Sequence, residues 1–103
     1  MSTLIEIKRL LMDGRYRFTD KATTELQRDH LTRYMAIEAI LSAPAIVKRL
    51  ASHNPHTGER EYLYVIVGQT HTGMVIYTKG KISKKSGVEL FYFIISSKRD
   101  ING

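Results

Sequence analysis

The first part of the chain has the apolar spacing of α-helices. Thr3 and Glu6 stand three residues apart, the spacing at which two side chains can cap each other's backbone N–H groups. The apolar residues that follow recur at intervals of three and four, namely Leu4, Ile7, Leu10 and Leu11. Gly14 is typical of the residue just beyond a helix end. The pattern therefore predicts a first helix over residues 3–13.

Two more helices are predicted before the middle of the chain. Residues 15–18 alternate basic and aromatic side chains, which favours a short extended segment. Thr19 or Asp20 can then cap a second helix, and Thr32 can cap a third. Pro44 is expected to stop the third helix, because the residue before a proline avoids helical backbone angles.

The second half of the chain has the composition of β-strands. Segments rich in Val, Ile, Tyr and Phe cover residues 61–67, 74–81 and 88–97, after a short extended piece at 46–50. The connections between them are short, which favours antiparallel neighbours. We therefore predict an α+β fold with three N-terminal helices packed on one face of a C-terminal antiparallel β-sheet. Residues 1–103 are expected to form a single domain, with 100–103 as a frayed tail.

Alternation along the strands predicts two different sheet faces, since successive side chains of a strand point to opposite sides. The face expected to pack on the helices carries Leu63, Val65, Val67, Met74, Ile76, Phe91, Phe93 and Ile95. The opposite face is expected to carry Tyr62, Tyr64, Tyr77, Lys79, Lys81, Tyr92, Ser96 and Lys98, with Ile66, Val88, Leu90 and Ile94 among them. This second face is predicted to be an exposed surface of tyrosines and lysines.

Composition narrows the function classes. The 103 residues include 16 Lys and Arg against 10 Asp and Glu. The resulting net charge of +6 is typical of proteins that bind phosphate-rich partners such as nucleic acids. A basic surface that serves only solubility is the alternative. The absence of cysteine excludes disulfides and thiolate metal sites, and it fits the cytoplasm, our expected location. No apolar run is long enough to cross a bilayer, so no membrane partner is expected.

The predicted tyrosine and lysine face suits single-stranded nucleic acid, because bases stack on aromatic rings while cations meet phosphates. Tyrosine as an ordinary strand residue and lysine as edge protection remain the alternative explanation. Cleaving RNA without a metal needs cations to stabilise the phosphorane and a group that transfers protons. The candidate cations are Lys48, Lys79, Lys81, Lys98 and Arg99, and the candidate proton donors are Tyr77 and Tyr92. The four histidines lack the spacing of a helical metal pair, so no metal or other cofactor is predicted.

Three segments together resemble a known family. They read Ile7-Lys8-Arg9-Leu10-Leu11-x-x-Gly14-x-Tyr16-Arg17-Phe18-Thr19, Met35-Ala36-Ile37-Glu38-Ala39-Ile40-Leu41-Ser42 and Ile46-Val47-Lys48. This order resembles the start of the MqsR-type mRNA interferase toxins, and also a small uncharacterised domain found beside toxin–antitoxin genes. The resemblance implies a compact RelE-like ribonuclease fold.

The resemblance also implies site residues and partners. The family's lysine after the third helix corresponds to Lys48, its strand tyrosine to Tyr77, and its lysine after the last strand to Lys98. The family's glutamine has no clear match here, and Lys21 stands where the related domain has a histidine. By this resemblance, the chain would be a toxin that cleaves single-stranded mRNA without a metal. Its protein partner would be a cognate antitoxin, of a kind that binds zinc and DNA.

The sequence leaves two other functions open. Tyr62, Tyr64, Lys79, Lys81, Tyr92 and Arg99 are the predicted RNA-binding residues around the catalytic candidates Lys48, Tyr77 and Lys98. The same surface would serve a non-catalytic RNA-binding or protein-interaction module. An inert structural domain is the third possibility.

Overall fold

The computed structural model describes residues 2–101 other than Ser86 and Val88. The helices are α1 (Thr3–Met12), α2 (Asp20–Arg28) and α3 (Arg33–Ser42). The strands are β1 (Tyr16–Phe18), β2 (Lys48–His53), β3 (Arg60–Gln69), β4 (Val75–Lys85) and β5 (Glu89–Arg99). Val88, predicted to begin the last strand, lies outside the described residues.

Local capping chemistry sets where the helices begin. The hydroxyls of Thr19 and Thr32 each accept a backbone N–H from the first turn of their helices, both at 3.2 Å, which confirms these two predicted caps. The first cap was predicted wrongly: Ser2, not Thr3, accepts the N–H of Ile5 at 3.2 Å. Either residue offers a hydroxyl, so the sequence alone could not choose between adjacent candidates. The third helix ends two residues before Pro44, as predicted.

The sheet has five strands in the order β1-β5-β4-β3-β2. The last four strands form an antiparallel meander, whereas β1 pairs parallel with β5. The predicted α+β fold is confirmed, with three N-terminal helices packed against a five-stranded, mostly antiparallel sheet. The parallel pair is the difference from the prediction, and it places the first strand of the chain beside the last.

All three helices contribute to the buried layer between them and one sheet face. Side chains of α1, α2 and α3 pack there with strand residues from the centre of the sheet, including Ile7, Ala22, Ile40, Ile66, Tyr92 and Ile94. At Gly68 the backbone of α3 comes so close that an added Cβ would lie 1.7 Å from the Ala39 carbonyl oxygen. A side chain at this position would therefore push the third helix off the sheet.

The strands are longer than their apolar patterns predicted, because pairing continues into the polar turn residues. Asp100, the first residue of the predicted frayed tail, is held by a backbone hydrogen bond. The Asp100 N–H donates to the Val75 carbonyl at 2.9 Å, and Ile101 is exposed. Asn102 and Gly103, the rest of the predicted tail, lie outside the described residues.

Candidate nucleic-acid interface

Strand register defines which side chains share the sheet face away from the helices, because directly paired residues point to the same side. Tyr77 pairs with both Val67 and Lys98, and Lys79 pairs with Val65, which in turn pairs with Lys48. We call this side the open face. Its members include Arg17, Lys48, Leu50, Leu63, Val65, Val67, Tyr77, Lys79, Lys81, Phe91, Phe93 and Lys98.

Three tyrosines predicted on this surface are not there. Tyr92 is 0% exposed and lies in the helix-packed core, and Tyr64 packs against the same cluster. Tyr62 is two residues from Tyr64 on β3, so it lies on the same side of the sheet as Tyr64. The guanidinium groups of Arg49 and Arg60 lie 4.5 and 5.6 Å from its ring centroid. The predicted placement of these rings on the exposed surface is therefore wrong, and a fully buried Tyr92 offers no face to a base.

Most of the apolar residues predicted to face the helices are also on the other side of the sheet. Ile76 and Met74 do pack beneath the helices, as predicted. Leu63, Val65, Val67, Phe91 and Phe93 instead lie on the open face. Val65 is nevertheless 5% exposed and Phe91 8%, although no helix covers them. Long lysine side chains can cover apolar surface with their methylene groups while their ammonium ends stay in water.

A register shift between Lys79 and Gly80 explains part of the error. Lys79 pairs with Ser96 but Gly80 pairs with Ile94, so Ile95 is an extra residue in β5. A bulge of this kind reverses which residues of a strand face each side. Tyr92 and Lys98 are an even number of residues apart and would share a face in a regular strand. Because of the bulge, Tyr92 faces the helices and Lys98 lies on the open face. Ser96, also predicted on the exposed face, is 3% exposed and donates its hydroxyl to Glu25 of α2 at 2.7 Å.

The ring of Tyr92 is accommodated by a glycine. An added Cβ at Gly80 would lie 2.6 Å from both Cζ and Oη of Tyr92, so only glycine leaves room for the ring. The phenol is enclosed, and its oxygen has no hydrogen-bond partner among the described residues. Burial, with a smaller contribution from the neighbouring Tyr64, raises the pKa of this phenol far above its ordinary value.

Two of the three predicted catalytic residues come together at one end of the open face. The Lys98 ammonium lies 5.4 Å from the centroid of the Tyr77 ring, a cation–π contact. Both residues line a surface cavity of about 400 Å³, together with Arg99, Asp100 and Ile101. The Tyr77 phenol and the Lys98 ammonium therefore share one concave site, whereas Arg99 pairs with the core residue Ile76, so register puts its side chain on the helix side of β5.

Carboxylates of α2 and of the residue that follows it fix the backbone on either side of Lys98. Glu25 accepts the N–H of Ser97 at 3.2 Å, and Asp29 accepts the N–H of Arg99 at 2.8 Å. Glu25 is in the last turn of α2 and Asp29 caps the C-terminal end of that helix, four residues on, so both carboxylates lie on one side of it. Because this anchoring is on the helix side, the Lys98 side chain between the two bonds is directed to the open face.

The third predicted catalytic residue stands apart from this cavity. Lys48 is exposed on β2, in the row that continues through Val65 to Lys79. Strand spacing puts its Cα about 12 Å from that of Tyr77, from ~4.8 Å per strand and ~3.3 Å per residue. Lys48 and Lys79 thus extend the positive charge across the sheet, away from the Tyr77–Lys98 cavity.

Lys81 is an open-face lysine with an acidic partner. Its ammonium lies 3.2 Å from a Glu61 carboxylate oxygen, with both side chains about four-fifths buried. An RNA phosphate would have to compete with this carboxylate. Lys81 is consequently the weakest phosphate-binding candidate of the predicted set.

Sequence reasoning missed Arg17 as a surface residue of this face. Arg17 pairs with Phe93, and its guanidinium lies 5.1 Å from the centroid of the Phe91 ring. The alternating basic and aromatic segment at 15–18 was a visible signal, but only the parallel pairing of β1 with β5 brings it to the sheet.

The histidines are dispersed over the structure. His30 has a left-handed backbone (φ 58°) just after α2, and His53 ends β2. His71 lies in the β3–β4 turn, where its backbone N–H donates to Glu38. Within residues 2–85, 87 and 89–101, no three His, Cys, Asp or Glu residues are grouped to hold a metal ion.

Comparison with known proteins identifies no relative. No family model matches the chain, and neither the curated proteins nor the solved structures give a significant match. In the described part of the chain, no helix has the length and apolar character needed to cross a membrane.

Proposed function

We propose that this protein is a ribonuclease that binds single-stranded RNA on the open face and cleaves it without a metal ion. The observation that carries the proposal is the pairing of Tyr77 with Lys98 at one surface cavity, on the same face as Lys79 and Lys48. Cations in this arrangement suit a phosphate, and the phenol supplies an O–H group next to it. The resemblance to mRNA interferases supports the same activity.

The proposed reaction is transfer of the phosphoryl group to the neighbouring ribose oxygen. The 2′-oxygen bonds to phosphorus and loses its proton to solvent, while the bond to the 5′-oxygen breaks. Tyr77 donates a proton to the departing 5′-oxygen, and Lys98 stabilises the additional negative charge on the phosphorane. The products are a 2′,3′-cyclic phosphate and a 5′-hydroxyl. None of these steps uses a metal ion.

The test is cleavage of a mixed-sequence single-stranded RNA in EDTA. Wild-type protein should cut it, and Tyr77→Phe should cut about 100-fold more slowly, because the ring stays but the proton donor is gone. Lys98→Ala should lose about 100-fold as well, because it removes a charge that acts on the transition state. Product ends identified by mass spectrometry should carry the cyclic phosphate.

Lys84→Ala is the matched control. Lys84 is an exposed lysine of the same strand as Tyr77, and it pairs with Leu90 on the other side of the sheet. This variant should cleave at the wild-type rate. Equal rates for Lys98→Ala and Lys84→Ala, or activity that EDTA abolishes, would contradict the proposed mechanism.

A non-catalytic RNA-binding module is the second candidate. The observation that favours it is the pair of Phe91 and Phe93 rings on the open face, with centroids 6.4 Å apart and Arg17 over Phe91. Aromatic rings beside cations form a stacking surface that binds RNA without chemistry. RNA that binds tightly but stays intact in the assay above would favour this candidate.

The proposed biological role follows the resemblance. The chain would be the toxin of a toxin–antitoxin pair, acting on mRNA in the cytoplasm. Its cognate antitoxin, of the zinc- and DNA-binding kind that the resemblance implies, would block the open face. Co-expression with the product of the neighbouring gene should relieve growth arrest caused by the wild-type protein.

A further inference from the structure

A second concave site lies at the β1 edge of the sheet, outside the Tyr77–Lys98 cavity. Its volume is about 330 Å³, and its lining combines three aromatic and two basic side chains: Tyr16, Arg17, Phe18, Arg33 and Tyr34. The strand segment comes from the alternating basic and aromatic stretch, to which the proposed cleavage reaction assigns no role. We call this cavity the edge cavity.

Tyr34 is the residue that most needs an explanation. It stands in the first turn of α3, and 81% of its side chain is exposed. The other rings of the edge cavity, Tyr16 and Phe18, pack edge to face with centroids 6.0 Å apart and also contact the core. Tyr34 therefore offers an open aromatic face beside a firmly packed wall, which suits stacking of a flat ring.

The two arginines supply positive charge on both sides of the edge cavity. Arg33 lies 5.9 Å from the Phe18 ring centroid, and Arg17 donates to the Tyr16 carbonyl at 2.9 Å while lying over Phe91. These contacts hold the guanidinium groups in place yet use few of the five N–H donors that each carries. The remaining donors suit the paired oxygens of a phosphate.

Arg17 also joins the edge cavity to the open face. It lines the cavity and at the same time pairs with Phe93, which pairs with Lys81 on β4. Phe93 and Lys98 pair with Lys81 and Tyr77, which are four residues apart on β4. Strand geometry therefore puts Arg17 about 14 Å from Lys98, from ~3.3 Å per residue along the sheet and ~4.8 Å across to β1. A few linked nucleotides of a single strand can span this distance.

We propose that the edge cavity is a nucleotide-binding subsite, in which Tyr34 stacks on a base and Arg17 and Arg33 hold its phosphate. The inference rests on the proposed RNA binding and deepens it. The ligand is a nucleotide of the same RNA strand, a few positions from the one at Lys98. The subsite increases affinity for longer strands and takes no part in bond cleavage.

The test uses RNA in which every ribose carries a 2′-O-methyl group, so that cleavage cannot occur. Affinities for a twelve-nucleotide strand and for a dinucleotide are measured by fluorescence anisotropy. Tyr34→Ala should weaken binding of the long strand about tenfold, while Tyr34→Phe, which keeps the ring, should bind as wild type does. Both variants should bind the dinucleotide like the wild-type protein, because it spans only the Tyr77–Lys98 cavity.

The charge component has a separate readout. Arg33→Ala should lower the slope of log affinity against log salt by about one for the long strand, whereas a phosphate-independent role would leave the slope unchanged. Lys84→Ala, which removes an exposed charge far from the edge cavity, should keep the wild-type slope.

The outcomes separate this inference from the proposed function. If the long strand binds and depends on Lys98 but not on Tyr34 or Arg33, the subsite is wrong and RNA binding on the open face stands. If neither strand binds the wild-type protein, both proposals are wrong. If Tyr34→Phe weakens binding as much as Tyr34→Ala does, stacking is overturned as the reason.

Discussion

At the scale of single residues, two buried hydroxyls have no hydrogen-bond partner among the described residues, those of Tyr92 and Ser97. The Tyr92 hydroxyl is enclosed without a hydrogen-bond partner among the described residues, and the ring lies against Gly80. A buried hydroxyl left unpaired typically costs 1–3 kcal/mol, on the order of the gain from burying its ring. The buried aromatic ring of Tyr92 therefore stabilises the fold, whereas its unpaired O–H group lowers the free energy of unfolding.

Replacing this residue gives a direct stability prediction. Tyr92→Phe keeps the ring and removes the unpaired hydroxyl, so the free energy of unfolding should rise by about 1 kcal/mol in urea denaturation at neutral pH. The exposed Tyr34→Phe is the matched control and should leave the free energy unchanged. A loss of more than about 1 kcal/mol in Tyr92→Phe would mean that the hydroxyl does have a stabilising partner.

The same two variants should differ in how the free energy of unfolding depends on pH. Burial raises the pKa of Tyr92 in the folded protein, whereas the phenol of the unfolded chain ionises near its ordinary pKa of 10.0. Above that pH the unfolded state releases a proton that the folded state retains, so the free energy of unfolding falls as pH rises. Tyr92→Phe should lack this component of the fall, and Tyr34→Phe should retain it.

At the scale of secondary-structure elements, the sequence predicts helices better than strand faces. Helix caps are local: Thr19 and Thr32 lie within three residues of the N–H groups that they bind. A strand face instead depends on register with other strands and on bulges. The shift at Gly80, which places Tyr92 and Lys98 on opposite sides, has no strong local signal apart from the glycine itself.

The candidate site could be predicted only in part for the same reason. Tyr77, Lys79 and Lys98 were placed on one face, and register puts them on the open face. The sequence could not show that Tyr64 and Tyr92 lie on the opposite face, since both faces of β3 and β5 carry large apolar or aromatic residues. The edge cavity was beyond prediction, because it needs β1 beside β5 and the first turn of α3 beside β1.

The contact between α2 and β5 leads to a further prediction. Glu25→Ala removes the acceptor of two partly buried hydrogen bonds, from the Ser96 hydroxyl and the Ser97 N–H. The free energy of unfolding should fall by about 2 kcal/mol, and hydrogen exchange at the Ser97 amide should accelerate. RNA cleavage should slow too, because the backbone that directs Lys98 to the open face is loosened.

Gln27→Ala is the control for this prediction. Gln27 is exposed on the same helix, so its replacement should leave stability, exchange and cleavage unchanged. Loss of stability in Glu25→Ala with an unaltered cleavage rate would show that α2 supports the fold without positioning Lys98.

At the scale of the whole molecule, the net charge of +6 is less informative than its distribution. The helices cover one side of the sheet, and the other side presents Lys48, Lys79 and Lys98 around an aliphatic and aromatic centre. Among the basic residues of this side, the charge of Lys81 is paired with Glu61. The molecule thus has a protected side that builds the core and an open, basic side that suits a polyanion.

The most direct test of this account is to locate bound RNA by NMR of methyl groups. The 2′-O-methyl strand is titrated into the protein, and methyl shifts are compared for Leu50, Leu63 and Val67 on the open face and for Ile5 on α1. Ile5 is the control because it is 46% exposed on the helix side. We predict shifts in the three open-face residues and none in Ile5. Shifts centred on α1, or none at the open face when RNA binds, would contradict the account.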